Sequence, residues 1–157
     1  VMKRLQKGYG KFLSSDRRDF APHTLVIVDP DPRFSAVDLF DAGPGDLLMA
    51  SWPPEISGAQ EAFGAFLARV LEKPSMENVV ILDVSPAALS PDEGPLRDRG
   101  VLRFEALRRM PSIQYAQVTR GLRILLLYFS VETGELEVFE HGTWEPFLSK
   151  EPWGGGL

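Results

Sequence analysis

The sequence predicts an α/β (or α+β) fold: a single domain with a mixed β-sheet under helical cover and a C-terminal antiparallel hairpin. Three observations carry that expectation. Leu25–Val28 and Val79–Val84 are short, β-rich runs with almost no polar alternation, the pattern of strands buried on both faces. Residues 57–73, between them, repeat apolar side chains at helical spacing, and a strand, helix and strand in that order form the unit of a parallel sheet. After residue 123 the pattern changes to two strand-like runs, 123–130 and 135–140, separated by Val131-Glu132-Thr133-Gly134, a hairpin turn.

The elements follow in order. Met2, Leu5, Tyr9, Phe12 and Leu13 recur at helical spacing, so residues 2–14 read as a basic amphipathic helix, weakened by Gly8 and Gly10 at about 1 kcal/mol each. The strand at 25–28 is stopped by Asp29-Pro30-Asp31-Pro32, and Leu47-Leu48-Met49 is a second short strand. The helix at 57–73 starts from Ser57 as N-cap and buries Ala62, Phe63, Phe66, Leu67, Val70 and Leu71. Residues 85–100, with three prolines, read as a long loop, and a short basic helix over 100–110 ends at Pro111. Tyr115–Val118 reads as a further strand, and Trp144, Phe147 and Leu148 form a terminal apolar cluster. The predicted organisation is a basic arm over 1–20, a core domain over 21–150 and a tail over 151–157.

Composition narrows the function. The longest apolar runs are four to six residues, far short of the roughly 20 a spanning helix needs. With no cysteine, thiolate metal sites, disulfides and cysteine nucleophiles are excluded, leaving His23 and His141 as the two imidazoles. Neither histidine has a nucleophile-elbow serine nearby, and neither glycine run opens a helix after a strand as a phosphate loop does. The expected location is soluble, in cytoplasm or an organelle matrix rather than secreted; Val1 leaves open a processed chain, a remnant or an alternative start.

The net charge of −5 is segregated. Residues 1–20 hold six basic side chains against two acidic, 24–96 three against twelve, 97–123 seven against two, and 124–157 one against six. The first basic block, Lys3, Arg4, Lys7, Lys11, Arg17 and Arg18, and the second, with Arg97, Arg99, Arg103, Arg108 and Arg109, are candidate partner-binding residues, joined by the aromatic Trp144 and Trp153. Nucleic acid is an alternative partner for the two basic blocks.

Asp29 and Asp31 follow one buried strand and Asp83 ends another. If those strands are parallel neighbours, the three carboxylates meet at the carboxyl edge of the sheet, a metal-site candidate suited to Mg²⁺. Leu25–Asp31 partly resembles the aspartate motif of haloacid-dehalogenase-like phosphatases, with Pro32 where that family has Thr or Val.

A second resemblance covers residues 79–147. The run 79–86 (Val-Val-Ile-Leu-Asp-Val-Ser-Pro), Arg97-Asp98-Arg99-Gly100, Pro111-Ser112-Ile113 and Glu132-Thr133-Gly134-Glu135 through Trp144-Glu145 resemble the second half of small bacterial endonucleases of the restriction-endonuclease-like PD-(D/E)xK superfamily. That family's catalytic positions are held here by Pro22-His23, Leu82 and Arg103, so the resemblance implies a nuclease fold without its metal-dependent cleavage. With no complete catalytic set, the leading expectation is a non-catalytic interaction or assembly module, an accessory subunit or a degenerate enzyme fold, with no cofactor. Its alternatives are a Mg²⁺-dependent enzyme acting on phosphate esters or nucleic acid through Asp29, Asp31 and Asp83, and a nucleic-acid-binding protein.

Overall fold

The computed structural model describes residues 21–29, 31, 33–43, 45–85 and 94–147. Six strands make one sheet: β1 (Thr24–Ile27), β2 (Leu47–Ala50), β3 (Asn78–Val84), β4 (Arg123–Phe129), β5 (Leu136–Glu140) and β6 (Thr143–Pro146). Four helices are interspersed: α1 (Ala36–Leu39), α2 (Ala59–Leu71), α3 (Gly94–Arg108) and α4 (Pro111–Arg120). The spatial order is β2-β1-β3-β4-β5-β6; the first four strands are parallel, and β5 and β6 run antiparallel beyond them. The sheet is therefore mixed and the domain single, as predicted.

Register explains why β1, β3 and β4 are apolar throughout. Ile27 lies beside Ala50 on one side and Ile81 on the other, and Ile81 beside Leu126, so every position between the sheet edges faces a packed layer. Leu25, Ile27, Val79, Ile81 and Leu126 face Phe63, Leu67, Val70 and Leu71 of α2, Leu107 of α3, and Ile113 and Ala116 of α4. The alternate residues Val26, Val80, Leu82, Leu125 and Leu127 form the opposite face with Ala36, Phe34 and Phe129. Fully burying each such side chain contributes about 1.5–3 kcal/mol.

Three expectations are corrected. Tyr115–Val118 is not a strand: it lies within α4, which opens on Pro111 and closes at Gly121 in the left-handed conformation (φ 68). Proline at the first helical position and glycine just past the last are both stabilising, and the buried pair Ile113 and Ala116 is spaced for a helix. Pro111 thus opens a new helix, with two residues between it and the end of α3 at Arg108. Second, the supposed 85–100 loop is helical from Gly94 onward. Third, Trp144 belongs to β6, which supplies the sixth strand in place of the expected one near 117. Two smaller differences concern α2: its N-cap is Gly58 (φ 83), with no side-chain cap from Ser57, and Ala62 and Phe66, expected inside, are exposed. The hairpin over 123–140 is present, with Gly134 at φ 71 in its turn. The helix expected at 2–14, the basic residues Lys3 to Arg18, Leu148 and Trp153 lie outside the described residues.

Candidate functional site

The parallel strands β1, β3 and β4 all end on one edge, where crossover connections leave room for side chains from several segments. Asp29 stands just past β1, Asp83 near the end of β3, and α3 passes above them. Asp29 and Asp83 do converge, but on a guanidinium. Nη1 of Arg103, from α3, lies 3.6 Å from Asp29 Oδ2 and 3.6 Å from Asp83 Oδ1. The guanidinium lies over the Trp52 ring, 5.4 Å from its centroid, which places its cation on the negative face of the indole. Among the described residues Arg103 makes no hydrogen bond of normal length, although its side chain is only 18% exposed.

Asp83 is 4% exposed, and its Oδ2 has no hydrogen-bond partner among the described residues. That oxygen is pressed against Gly100 of α3, where any Cβ would overlap it. Burial pushes the Asp83 carboxyl above its ordinary pKa; Arg103 and then Arg99 pull it back, and Asp29 pushes it up again. Desolvation prevails because the nearest cation stands just beyond hydrogen-bonding distance on one oxygen, while the other oxygen is buried with no partner among the described residues.

Asp31 is turned to a different partner. Arg33 Nε donates to Asp31 Oδ1 at 3.0 Å and Nη2 to Oδ2 at 2.7 Å, and this bidentate pair holds the Asp31 carboxyl below its ordinary pKa. Arg33 Nη2 also donates to the Ser85 carbonyl at 2.5 Å, so the loop after β1 is tied to the end of β3. Ser85 Oγ in turn accepts from the Val131 amide at 2.9 Å. No group of three or more His, Asp or Glu side chains is placed to hold a metal among the described residues. His23 precedes β1 and His141 follows β5, which puts both at the opposite edge of the sheet.

The second basic block is largely used internally. Arg97 pairs with Glu137 at 2.7 Å and lies over the rings of Tyr128 and Trp144, at 4.8 Å and 5.8 Å. Arg108 pairs with Glu105 and lies over Phe104, while Arg99 and Arg109 face solvent. Trp144 packs on Phe139, with ring centroids 5.3 Å apart. Sequence reasoning missed the inward role of Arg103 and the contact at Gly100. Gly100, Arg103 and Leu107, at offsets of three and four on one helix face, are the signal that would have found them.

No family model matches the chain, and no curated protein matches it by sequence. Solved structures do match its fold. A tetrameric β-carbonic anhydrase of the filamentous ascomycete Sordaria macrospora superposes with a TM-score of 0.62 at 14% identity, covering 92% of this chain and 95% of that one. Carbonic anhydrase from Streptococcus mutans gives 0.63 at 11% identity, covering 88% and 95%, and that from Glaciozyma antarctica 0.61 at 14%, covering 87% and 94%. The fold is that of β-carbonic anhydrases, which overturns the resemblance to PD-(D/E)xK nucleases: the strand order and hairpin that prompted it belong to a different architecture. The expected interaction module or accessory subunit, the degenerate nuclease, and the nucleic-acid and Mg²⁺ alternatives are corrected with it, because the fold is shared with enzymes of another kind.

The expectation of no cofactor, or of Mg²⁺, gives way in the same comparison, since β-carbonic anhydrases use zinc. The described residues of this chain do not fit that ion. A catalytic zinc takes three protein ligands drawn from thiolate, imidazole and carboxylate. Here there is no cysteine, both histidines lie at the far edge, and the two converging carboxylates already face Arg103.

Proposed function

We propose that the carboxyl edge of the parallel strands binds a small planar oxyanion, bicarbonate first among them, and exchanges a proton with it through Asp83. One observation carries this reading: Arg103, mostly buried and lying over the Trp52 ring, makes no hydrogen bond among the described residues and stands 3.6 Å from Oδ1 of Asp83, whose Oδ2 is buried with no partner among the described residues. A guanidinium presents its N–H groups in a flat fork that matches a planar oxyanion. A proton on Asp83 removes one negative charge from beside Arg99 and Arg103, so anion and proton favour each other's binding. In the bicarbonate direction, the Asp83 proton passes to the hydroxyl oxygen, the carbon–oxygen bond breaks, and water and carbon dioxide leave an ionised Asp83. The reverse step adds water to carbon dioxide and returns the proton to Asp83. The fold neighbours, carbonic anhydrases by name, support bicarbonate as the first ligand to test.

The test is titration calorimetry with bicarbonate and nitrate, alongside oxygen-isotope exchange between carbon dioxide and water, each with added zinc and with a chelator. Saturable binding that tightens as pH falls and is lost in Arg103→Met is expected, with exchange reduced about a hundredfold in Asp83→Asn. Absence of saturable binding to the unaltered protein, or binding indifferent to Arg103→Met, refutes the site.

Self-association is a second reading with its own observation. Tyr115 and Val118 on α4 are 71% and 86% exposed, and Leu102 on α3 is 71% exposed, large apolar side chains that a second copy of the chain would cover. The Sordaria neighbours are tetrameric.

A further inference from the structure

We infer that the Arg103 guanidinium is a resident cation, occupying between Asp29 and Asp83 the position that a metal ion would otherwise take. The argument is independent of whether an oxyanion binds. Two carboxylates from adjacent parallel strands face the same nitrogen at 3.6 Å each, and one of them, Asp83, is buried with an oxygen that has no partner among the described residues. Two converging carboxylates, one of them buried, require a cation between them, and the cation supplied is covalently attached. Its stem is fixed by α3, and its charge rests on the Trp52 ring. Asp29, by contrast, is 53% exposed, so the position is open to solvent on that side and a small cation can reach it once the guanidinium is gone.

A small divalent ion and the Arg103 guanidinium are therefore alternatives at this pair of carboxylates. A protein with Arg103 in place has no vacancy for a divalent ion there. Truncating Arg103 creates one, with Asp29 and Asp83 as its anionic walls.

The experiment is Arg103→Ala, compared with the unaltered protein in thermal unfolding and calorimetry, with ethylguanidinium and with Zn²⁺ as probes. The variant should unfold at a lower temperature and be restored by millimolar ethylguanidinium, and it should acquire saturable Zn²⁺ binding that the unaltered protein lacks. Adding Asp83→Asn should recover stability without either cation and abolish both responses. If Arg103→Ala does not fold, the Arg103→Ala/Asp83→Asn protein must, because the uncompensated carboxylate is then removed. The inference is overturned if Arg103→Ala is as stable as the parent and takes up neither cation. It is equally overturned if the double variant also fails to fold, or if the unaltered protein binds Zn²⁺ one to one and loses it on Asp29→Asn.

Discussion

Replacing Gly100 by alanine separates two opposed effects that the structure sets against each other. In a helix interior, alanine is favoured over glycine by about 1 kcal/mol, because glycine loses more backbone freedom on folding. At position 100, however, the added methyl would overlap Asp83 Oδ2 and lie 3.2 Å from Asp83 Cγ and 3.3 Å from Leu126 Cδ1. None of these can retreat: Asp83 is on β3, Leu126 is fully buried on β4, and the two strands are paired along their whole length. Overpacking of this kind costs about 1–3 kcal/mol, so Gly100→Ala should leave the protein unchanged or weaker by up to about 2 kcal/mol. Gly64, inside α2, has nothing within 4 Å of its missing methyl, and Gly64→Ala should gain about 1 kcal/mol. The assay is urea unfolding of both variants, read at equal slope. A third measurement isolates the cause: in an Asp83→Ala background, Gly100→Ala should become stabilising. If Gly100→Ala stabilises the parent as much as Gly64→Ala does, the close approach of α3 to Asp83 is wrong and the account of that carboxylate falls with it.

Two further outcomes are expected. Asp83 has its folded-state pKa raised, so between its unfolded and folded values the native chain holds more protons than the unfolded one; its contribution is full below the unfolded pKa and lost as pH rises through the folded one. Asp83→Asn should therefore gain on the parent as pH rises from acid towards neutrality, each tenfold in proton affinity converting to about 1.4 kcal/mol, and parallel pH–stability curves for the two proteins would contradict this. For the exposed face of α4, the unaltered protein should scatter light as a multimer, and Tyr115→Glu/Val118→Glu should reduce it to a single chain; a parent already of one-chain mass removes that reading.

Much of the fold was legible because burial on both faces leaves a plain mark. β1, β3 and β4 announce themselves as apolar runs, and the order strand, helix, strand led to parallel pairing and thus to Asp29 and Asp83 sharing an edge. α4 was obscured because Tyr115 and Val118 favour strands by type, while the evidence for a helix lay in Pro111, Gly121 and the spacing of Ile113 and Ala116. The first half of α3 was obscured by its charged residues and its glycines, Gly94 and Gly100, which leave no apolar stripe to read. The site was legible as a meeting of acids and illegible as a meeting of acids around an arginine. An arginine in a basic stretch gives no local sign of whether it faces water or two carboxylates, and only the passage of α3 above β3 decides it.

The outer strands of the sheet bear on how copies of this chain can meet. On β6, the Phe147 amide points inward and donates to the Leu136 carbonyl, so the preceding backbone nitrogen, that of Pro146, points outward and has no hydrogen to offer. At the other end, β2 is four residues long and ends before Trp52-Pro53-Pro54. Short or proline-blocked margins resist end-to-end joining of sheets into a continuous ribbon. Among the described residues, growth by fibre-like stacking is thus disfavoured at both flanks.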